Sequence, residues 1–276
     1  MTVKMIRQKS GQISFLSGGQ GKVILFLHGI PGSSQAWMRV AGQLTDSYKV
    51  VLPDLIGFGH SEQPSGDYYL QAQATALQEF LEAQEITELY IAGHDFGGPV
   101  AITLLDMSPE LRIEGLVLAA TNVFTNTYVP PPLRLAKVPL LNSLVFTAMV
   151  GNRIGLHLLY QAAVKNKAAA TRSQFQDHLT PSGVDFTRRI FQRSLADLKG
   201  NYQAVEDALA QIDIPTLVLW GDTDPFFSVE VATRIQAVVK RAELKIYPAT
   251  GHFVPEERPD DVARDMRAFL RGCQAP

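Results

Sequence analysis

Short apolar runs alternate along the chain with stretches whose apolar residues recur at helical spacing. Val23–Leu27, Val50–Leu52, Leu89–Ala92, Leu116–Ala119, Thr216–Trp220 and Leu244–Tyr247 are brief, mostly apolar segments. That is the pattern of strands buried on both faces of a parallel sheet. Between them, Trp37, Val40 and Leu44 share one helical face, and Leu70 to Glu82 is amphipathic. Gly97–Met107, Val229–Val239 and Asp260–Leu270 continue the helical series. The alternation predicts βαβ units, and so an α/β fold with a mostly parallel central sheet flanked by helices. It pauses between about Asn122 and Ala210, in a region that is apolar but helix-like and carries Pro130-Pro131-Pro132 near its start. This region is expected to be an inserted helical cap. The expected division is core 1–121, cap 122–210 and core 211–276.

Composition narrows the class without changing this picture. The 276 residues suit one large α/β domain, or a core with an insertion. A formal net charge of −2 and the lack of a long basic run argue against nucleic acid as a partner. Cys273 stands alone, so no intrachain disulfide can form, and a reducing, cytoplasmic setting is expected. Met1 to Phe15 intersperses Lys4, Arg7, Lys9 and Gln12 among apolar residues and has no continuous apolar core, unlike a signal peptide. No segment has the length and apolarity of a membrane helix. The best run in the cap region, Leu140 to Val150, is too short.

The chemistry centres on Gly93-His94-Asp95-Phe96-Gly97-Gly98, between a predicted strand and a predicted helix. Small residues on both sides let the backbone turn sharply and present the central side chain above the sheet. That residue is Asp95. A carboxylate attacking an acyl carbon would form a high-energy mixed anhydride. Attacking a saturated carbon that bears a leaving group, it forms an alkyl ester that water can open. Asp95 therefore points to displacement at carbon, such as epoxide opening or carbon–halogen cleavage.

Two later loops supply partners. Gly221-Asp222-Thr223-Asp224-Pro225 follows one strand, and Gly251-His252-Phe253 follows another, all on the sheet edge that carries Asp95. His252 is expected to activate water for attack on the Asp95 ester. Asp224 is expected to orient the imidazole and stabilise its cation. Asp222, its rival, is expected to shape the turn. The backbone N–H groups of Ile30 and Phe96 are candidates for an oxyanion hole. His28, His60 and His94 border glycine turns and are expected to hold loops. His157 and His178 carry no clear signal. Neither metal-ligand spacing nor a nucleotide-binding glycine pattern is present, so no cofactor is expected.

Taken together, the elbow, His28-Gly29-Ile30-Pro31, the Asp54-to-Ser61 turn, Asp224 and His252 resemble the α/β-hydrolase superfamily in the right order. The resemblance covers nearly the whole chain outside the cap. The aspartate narrows it to the branch containing epoxide hydrolases and haloalkane dehalogenases, with haloacetate dehalogenases nearby. Epoxide hydrolases place two cap tyrosines at the epoxide oxygen. Tyr160 and Tyr202 resemble that pair, with Tyr128 in reserve. Haloalkane dehalogenases place Trp after the nucleophile and a second donor in the cap or first loop. Here Phe96 and Ile30 stand at those positions, and neither Trp37 nor Trp220 lies in the cap. Haloacetate dehalogenases place Arg after the nucleophile, where Phe96 implies an apolar pocket. The resemblance thus implies an epoxide hydrolase that forms a diol through an Asp95 ester. A dehalogenase is the alternative, and a non-catalytic ligand-binding protein of this fold is the reading from another class. The pocket is expected to include His28, Pro31, Phe96, Tyr128 and Phe253. The expected partners are a small apolar molecule and water, with a homodimer as the candidate assembly and neither nucleic acid nor membrane.

Overall fold

The computed structural model describes residues 1–62, 66, 69–127, 152–168 and 181–274. Tyr128, the Pro130–Pro132 run, the Leu140–Val150 stretch and His178 lie outside them. Among the described residues, eight strands form one sheet in the order β1-β2-β4-β3-β5-β6-β7-β8. These are β1 (Thr2–Gln8), β2 (Gly11–Gly18), β3 (Val23–Leu27), β4 (Lys49–Pro53), β5 (Glu88–His94), β6 (Arg112–Ala119), β7 (Thr216–Gly221) and β8 (Ala242–Tyr247). From β4 across to β8 every pairing is parallel, whereas β1–β2 and β2–β4 are antiparallel.

The six predicted strands are all present: β3 has the predicted limits, β6 begins four residues earlier, and the others extend by one or two residues at an end. The hairpin of β1 and β2 was not foreseen. Its first strand is an edge with Val3 and Met5 exposed at 64% and 57%, so burial imposes no apolar run on it. The second, Gly11–Gly18, is buried along most of its length but mixes Ser14 and Ser17 with Ile13, Phe15 and Leu16. Hydroxyl groups dilute the hydrophobic signal there, and Ser61 Oγ accepts from the Ser14 N–H at 2.9 Å.

Burial on both faces explains the continuous apolar strands. In β3, Val23, Leu25 and Leu27 face one layer, while Ile24 and Phe26 face the other. The first layer is closed by helices α2 (Leu70–Ala83) and α3 (Gly97–Met107) and by α7 (Val229–Val238). The second is closed by a 3-10 turn (Ser34–Trp37) running into α1 (Met38–Gly42), and by α9 (Pro259–Cys273). Ser33 caps the 3-10 turn: its Oγ accepts from the Gln35 N–H at 3.3 Å.

Between β6 and β7 the described chain is helical: α4 (Arg153–Ala163), α5 (Pro181–Ala196) and α6 (Leu198–Leu209). A short helix α8 (Val254–Glu257) follows β8. No helix among the described residues is long and apolar enough to cross a membrane.

The β5–α3 turn is the tightest feature of the core. Asp95 adopts φ +50°, a left-handed backbone that a side chain rarely takes without surrounding constraint. The constraint comes from both sides. Asp95 N–H donates to Ala119 O at 3.1 Å, and Thr121 Oγ1 donates to Asp95 O at 2.6 Å. Gly97 then passes so close to β3 that a Cβ there would lie 2.4 Å from Leu27 O. That neighbour is strand backbone and cannot swing away. Gly97→Ala is therefore expected to cost about 3 kcal/mol or more, lowering the thermal midpoint by roughly 6–10 °C, as read by calorimetry.

Candidate active site

Five segments meet at the carboxyl edge of the parallel strands: the loop after β3, the β5–α3 turn, the loops after β7 and β8, and the helices between β6 and β7. The loop after β3 comes close enough to the turn that a Cβ on Gly29 would lie 2.5 Å from Asp95 Cβ. Its Ile30 N–H donates to Asp95 Oδ1 at 2.7 Å. The other oxygen, Oδ2, lies 3.5 Å from His252 Nε2. On the far side of the ring, His252 Nδ1 donates to Asp224 Oδ2 at 2.9 Å. The second Asp224 oxygen accepts from the N–H groups of Phe226 and Phe227 at 2.8 and 3.1 Å. So Asp95, His252 and Asp224 come together as expected. Asp222 does not reach the ring. Its Oδ1 accepts from the Thr250 N–H at 3.2 Å and shapes the turn.

Electrostatics follow from this sandwich. Burial alone would raise the Asp95 carboxyl, but the hydrogen bond and charge of His252, then His94 and the Ile30 N–H, outweigh it and hold the group below the usual carboxylate range. Burial would lower His252; Asp224 and then Asp95 outweigh it and raise the imidazole to about 10. At rest the site is therefore an imidazolium between two carboxylates. His94, pushed down to about 4 by burial and by the His252 charge, is neutral. Its Nε2–H donates to the His252 carbonyl at 3.0 Å, which supports the histidine loop from below.

The loop is also tied to the helices between β6 and β7. His252 N–H donates to Ala163 O at 3.0 Å, at the end of α4. The buried Glu257 carboxylate accepts from the Gly251 N–H at 3.1 and 3.2 Å, and from the Lys165 and Asn166 N–H groups at 2.8 Å each. Neither Glu257 nor its neighbour Glu256 was singled out from sequence, because two acids at a helix start look like solvent-facing charges.

A cavity of about 100 Å³ opens over Asp95. Its walls include Pro31, Phe96, Tyr160, Tyr202, Phe226 and Phe253. The Phe226 and Phe227 rings also meet His252, with centroids 5.0 and 5.5 Å away. These two were not foreseen, although they directly follow Asp224-Pro225. His28 corrects the expected pocket. It is fully buried beneath the loop, outside the cavity wall. The Leu55 N–H donates to its Nε2 at 3.0 Å, so its Nδ1 carries the proton and donates to Gly29 O at 2.8 Å. The ring is thereby a strut between two loops. His60 contributes only its backbone N–H, donated to Asp54 Oδ2 at 2.9 Å.

The two tyrosines face different neighbours. Tyr160 lines the cavity, but its hydroxyl donates to Glu256 Oε2 at 2.7 Å. Burial and the Glu256 charge push its pKa up. Tyr202 lines the cavity as well, and burial, then the neighbouring Tyr69, pushes its hydroxyl well above the ordinary value.

A family model described as alpha/beta hydrolase fold matches residues 22–259. The chain is similar to Lipase 3 of Moraxella sp. (strain TA144), 27% identical over 263 residues, covering 92% of this chain and 79% of that protein. It is similar to human epoxide hydrolase 4, 25% identical over 275 residues, covering 92% of this chain and 74% of that protein. In structure it resembles a putative lipase (lip1) of Acinetobacter baumannii AYE, with TM-score 0.86 and 26% identity over 99% of this chain and 92% of that one.

The flanked imidazolium has a stability signature. The folded value of His252 lies above its ordinary 6.5, so the added stability is complete below pH 6.5 and is lost as pH rises through about 10. The difference in unfolding free energy between the protein and His252→Gln is expected to narrow across that window in denaturant melts.

Proposed function

Because the chain belongs to the α/β-hydrolase fold family, we propose that it is a cofactor-independent hydrolase that opens a small apolar epoxide through a covalent Asp95 ester. One observation carries this reading. The nucleophile position holds a carboxylate whose two oxygens are already differentiated, Oδ1 on the Ile30 N–H and Oδ2 beside His252. Among the relatives named above, lipases and an epoxide hydrolase both occur. A carboxylate suits attack at saturated carbon and is ill suited to acyl transfer.

The steps balance. Asp95 Oδ2 forms a bond to an epoxide carbon as the carbon–oxygen bond breaks, and the released oxygen takes a proton from Tyr202. Esterification removes the Asp95 charge, one of the two that hold the proton on His252. His252 can then release that proton, and one proton restores Tyr202. Neutral His252 takes a proton from water, whose oxygen attacks the Asp95 carboxyl carbon. Negative charge gathers on Oδ1, where the Ile30 N–H waits and the Phe96 N–H at the start of α3 can assist. Collapse frees the diol and regenerates the carboxylate–imidazolium pair. The apolar wall of Phe96, Phe226 and Phe253 suits an uncharged substrate. In this reading α4, α5 and α6 form the cap.

Halide release receives less support. The Trp37 indole N–H donates to Leu27 O at 3.0 Å and the Trp220 indole to Phe227 O at 2.8 Å. Asn122 Nδ2 donates to Phe124 O at 3.1 Å. These donors are committed to the scaffold.

His252→Gln is expected to accumulate the ester. Soaked with propylene oxide, its intact mass should rise by the whole epoxide, and a further Asp95→Asn change should abolish the gain. A gain of only the alkyl group from a bromoalkane would make the protein a dehalogenase. Turnover of a p-nitrophenyl ester that depends on Asp95, with no epoxide adduct, would favour an acyl hydrolase.

A further inference from the structure

The peptide that carries His252 is held at both of its backbone polar groups. Its N–H donates to Ala163 O at 3.0 Å, and its carbonyl accepts from His94 Nε2 at 3.0 Å. One residue earlier, the Gly251 N–H donates to Glu257, at 3.1 Å from Oε1 and 3.2 Å from Oε2. The same Oε2 accepts from the Lys165 and Asn166 N–H groups at 2.8 Å each. The Asn166 side-chain amide donates in return to the Glu257 carbonyl at 3.3 Å. Ala163 ends α4, and Lys165 and Asn166 belong to the chain that leaves it. The two stretches approach so closely that a Cβ on Gly251 would lie 2.0 Å from Ala163 O.

We propose that Glu257 is a positioning residue for His252: its carboxylate clasps the Gly251 peptide to the chain leaving α4, so that the helices between β6 and β7, as well as the core, set where the imidazole stands. This rests on the reading above, in which His252 is the base that activates water. A carboxylate offers acceptors only, and here three N–H groups from two distant segments converge on one. Hydrogen bonds to a charged acceptor are about twice as strong as neutral ones. Glu257 is 2% exposed, so a donor that lost this acceptor would be left buried and unsatisfied. The imidazole above it reaches Asp224 at 2.9 Å and Asp95 at 3.5 Å. A shift of the loop by about an ångström is enough to misalign a reacting pair.

Other contacts tie the same helices down without touching the histidine peptide. The Tyr160 hydroxyl donates to Glu256 Oε2 at 2.7 Å and joins α4 to α8. Glu206 of α6 pairs with Arg234 of α7 at 2.6 Å and accepts from the Thr125 N–H at 2.9 Å. Of these three carboxylates, Glu257 is the one bonded to the catalytic loop. Leu159 and Tyr160 of α4 also line the cavity, so one helix presents a wall to the substrate and a fixed reference to the base.

Glu257→Gln separates the two arms of the clasp. Its amide keeps one acceptor. Seated in the place of Oε2 it retains Lys165 and Asn166, and its NH2 then meets the Gly251 N–H donor to donor. The first readout needs no substrate: the titration of the His252 ring by NMR, assigned by its absence in His252→Gln. Burial works against the charged ring, but Asp224 and then Asp95 raise it to about 10. In Glu257→Gln the midpoint should fall by about one pH unit or more as the ring leaves its carboxylates. Glu206→Gln, which loosens the helices elsewhere, should lower the thermal midpoint and leave the His252 titration in place. The second readout is intact mass during turnover of propylene oxide. Alkylation of Asp95 needs no base, whereas opening the ester does, so Glu257→Gln should slow ester hydrolysis by roughly 10²-fold and carry the ester with His252 still present. A variant that is merely destabilised would lose both steps alike and carry none. Thermal melts establish folding, and Gly251→Ala, which forces the loop from Ala163, gives the same readouts where Glu257→Gln is not folded. A folded variant with the parent's His252 titration and no retained ester overturns the inference and leaves the epoxide reading standing. A lowered midpoint with no ester in His252→Gln overturns the epoxide reading and leaves the positioning of His252 by Glu257 in force.

Discussion

A single imidazolium held between two buried carboxylates is the interaction on which this molecule turns. It holds the buried Asp95 carboxyl below the usual range, and both Asp95 and Asp224 are further engaged by backbone donors. The demand reaches outward. Asp95 must project from a left-handed turn, so the strand before it and the helix after it pack at glycine distance. Asp224 is held by the N–H groups of Phe226 and Phe227, and the same stretch of the loop after β7 sets their rings against the histidine. The arrangement also carries its own control. Removing the charge of one carboxylate, as an ester would, weakens the hold on the His252 proton at the step where a base is needed.

The helices between β6 and β7 are anchored to the catalytic loop as well as to the core. Glu257 gathers backbone donors from Gly251 on one side and from Lys165 and Asn166 on the other. Tyr160 reaches Glu256, and Ala163 receives the His252 N–H. A displacement of α4 would therefore disturb the histidine directly. On the opposite side, the Tyr69 and Ser194 hydroxyls, 2.9 Å apart, join α5 to the start of α2. Each junction rests on a tyrosine hydroxyl, bonded to a carboxylate at one and to a serine hydroxyl at the other.

Much was legible in the residues themselves. Five buried strands, the flanking helices and the turn around Asp95 follow from apolar runs broken by glycine, because a strand covered on both faces has no polar positions to spare, whereas β8 is a partly exposed edge that admits Glu243 and Lys245. The order of Asp95, Asp224 and His252 followed from each standing where a strand ends. The edge hairpin escaped because exposure on one strand and serines on the other erased its hydrophobic signature. His28 was misplaced because a histidine beside glycine looks the same whether it lines a pocket or braces two loops.

What the sequence by itself determined is therefore local: periodicity, turn chemistry and the identity of the group at the elbow. A carboxylate at that position limits the chemistry however the side chains around it pack. Only the tertiary structure decided what each hydroxyl and carboxylate touches. Tyr160 lies 96 residues from Glu256, and Tyr69 lies 125 residues from Ser194. Spacing of that kind leaves no periodic trace, since such contacts are set by how whole helices pack across the sheet edge. The same phenol can donate to a substrate or be committed to a buried acid, and the difference is made by the neighbours that folding brings to it.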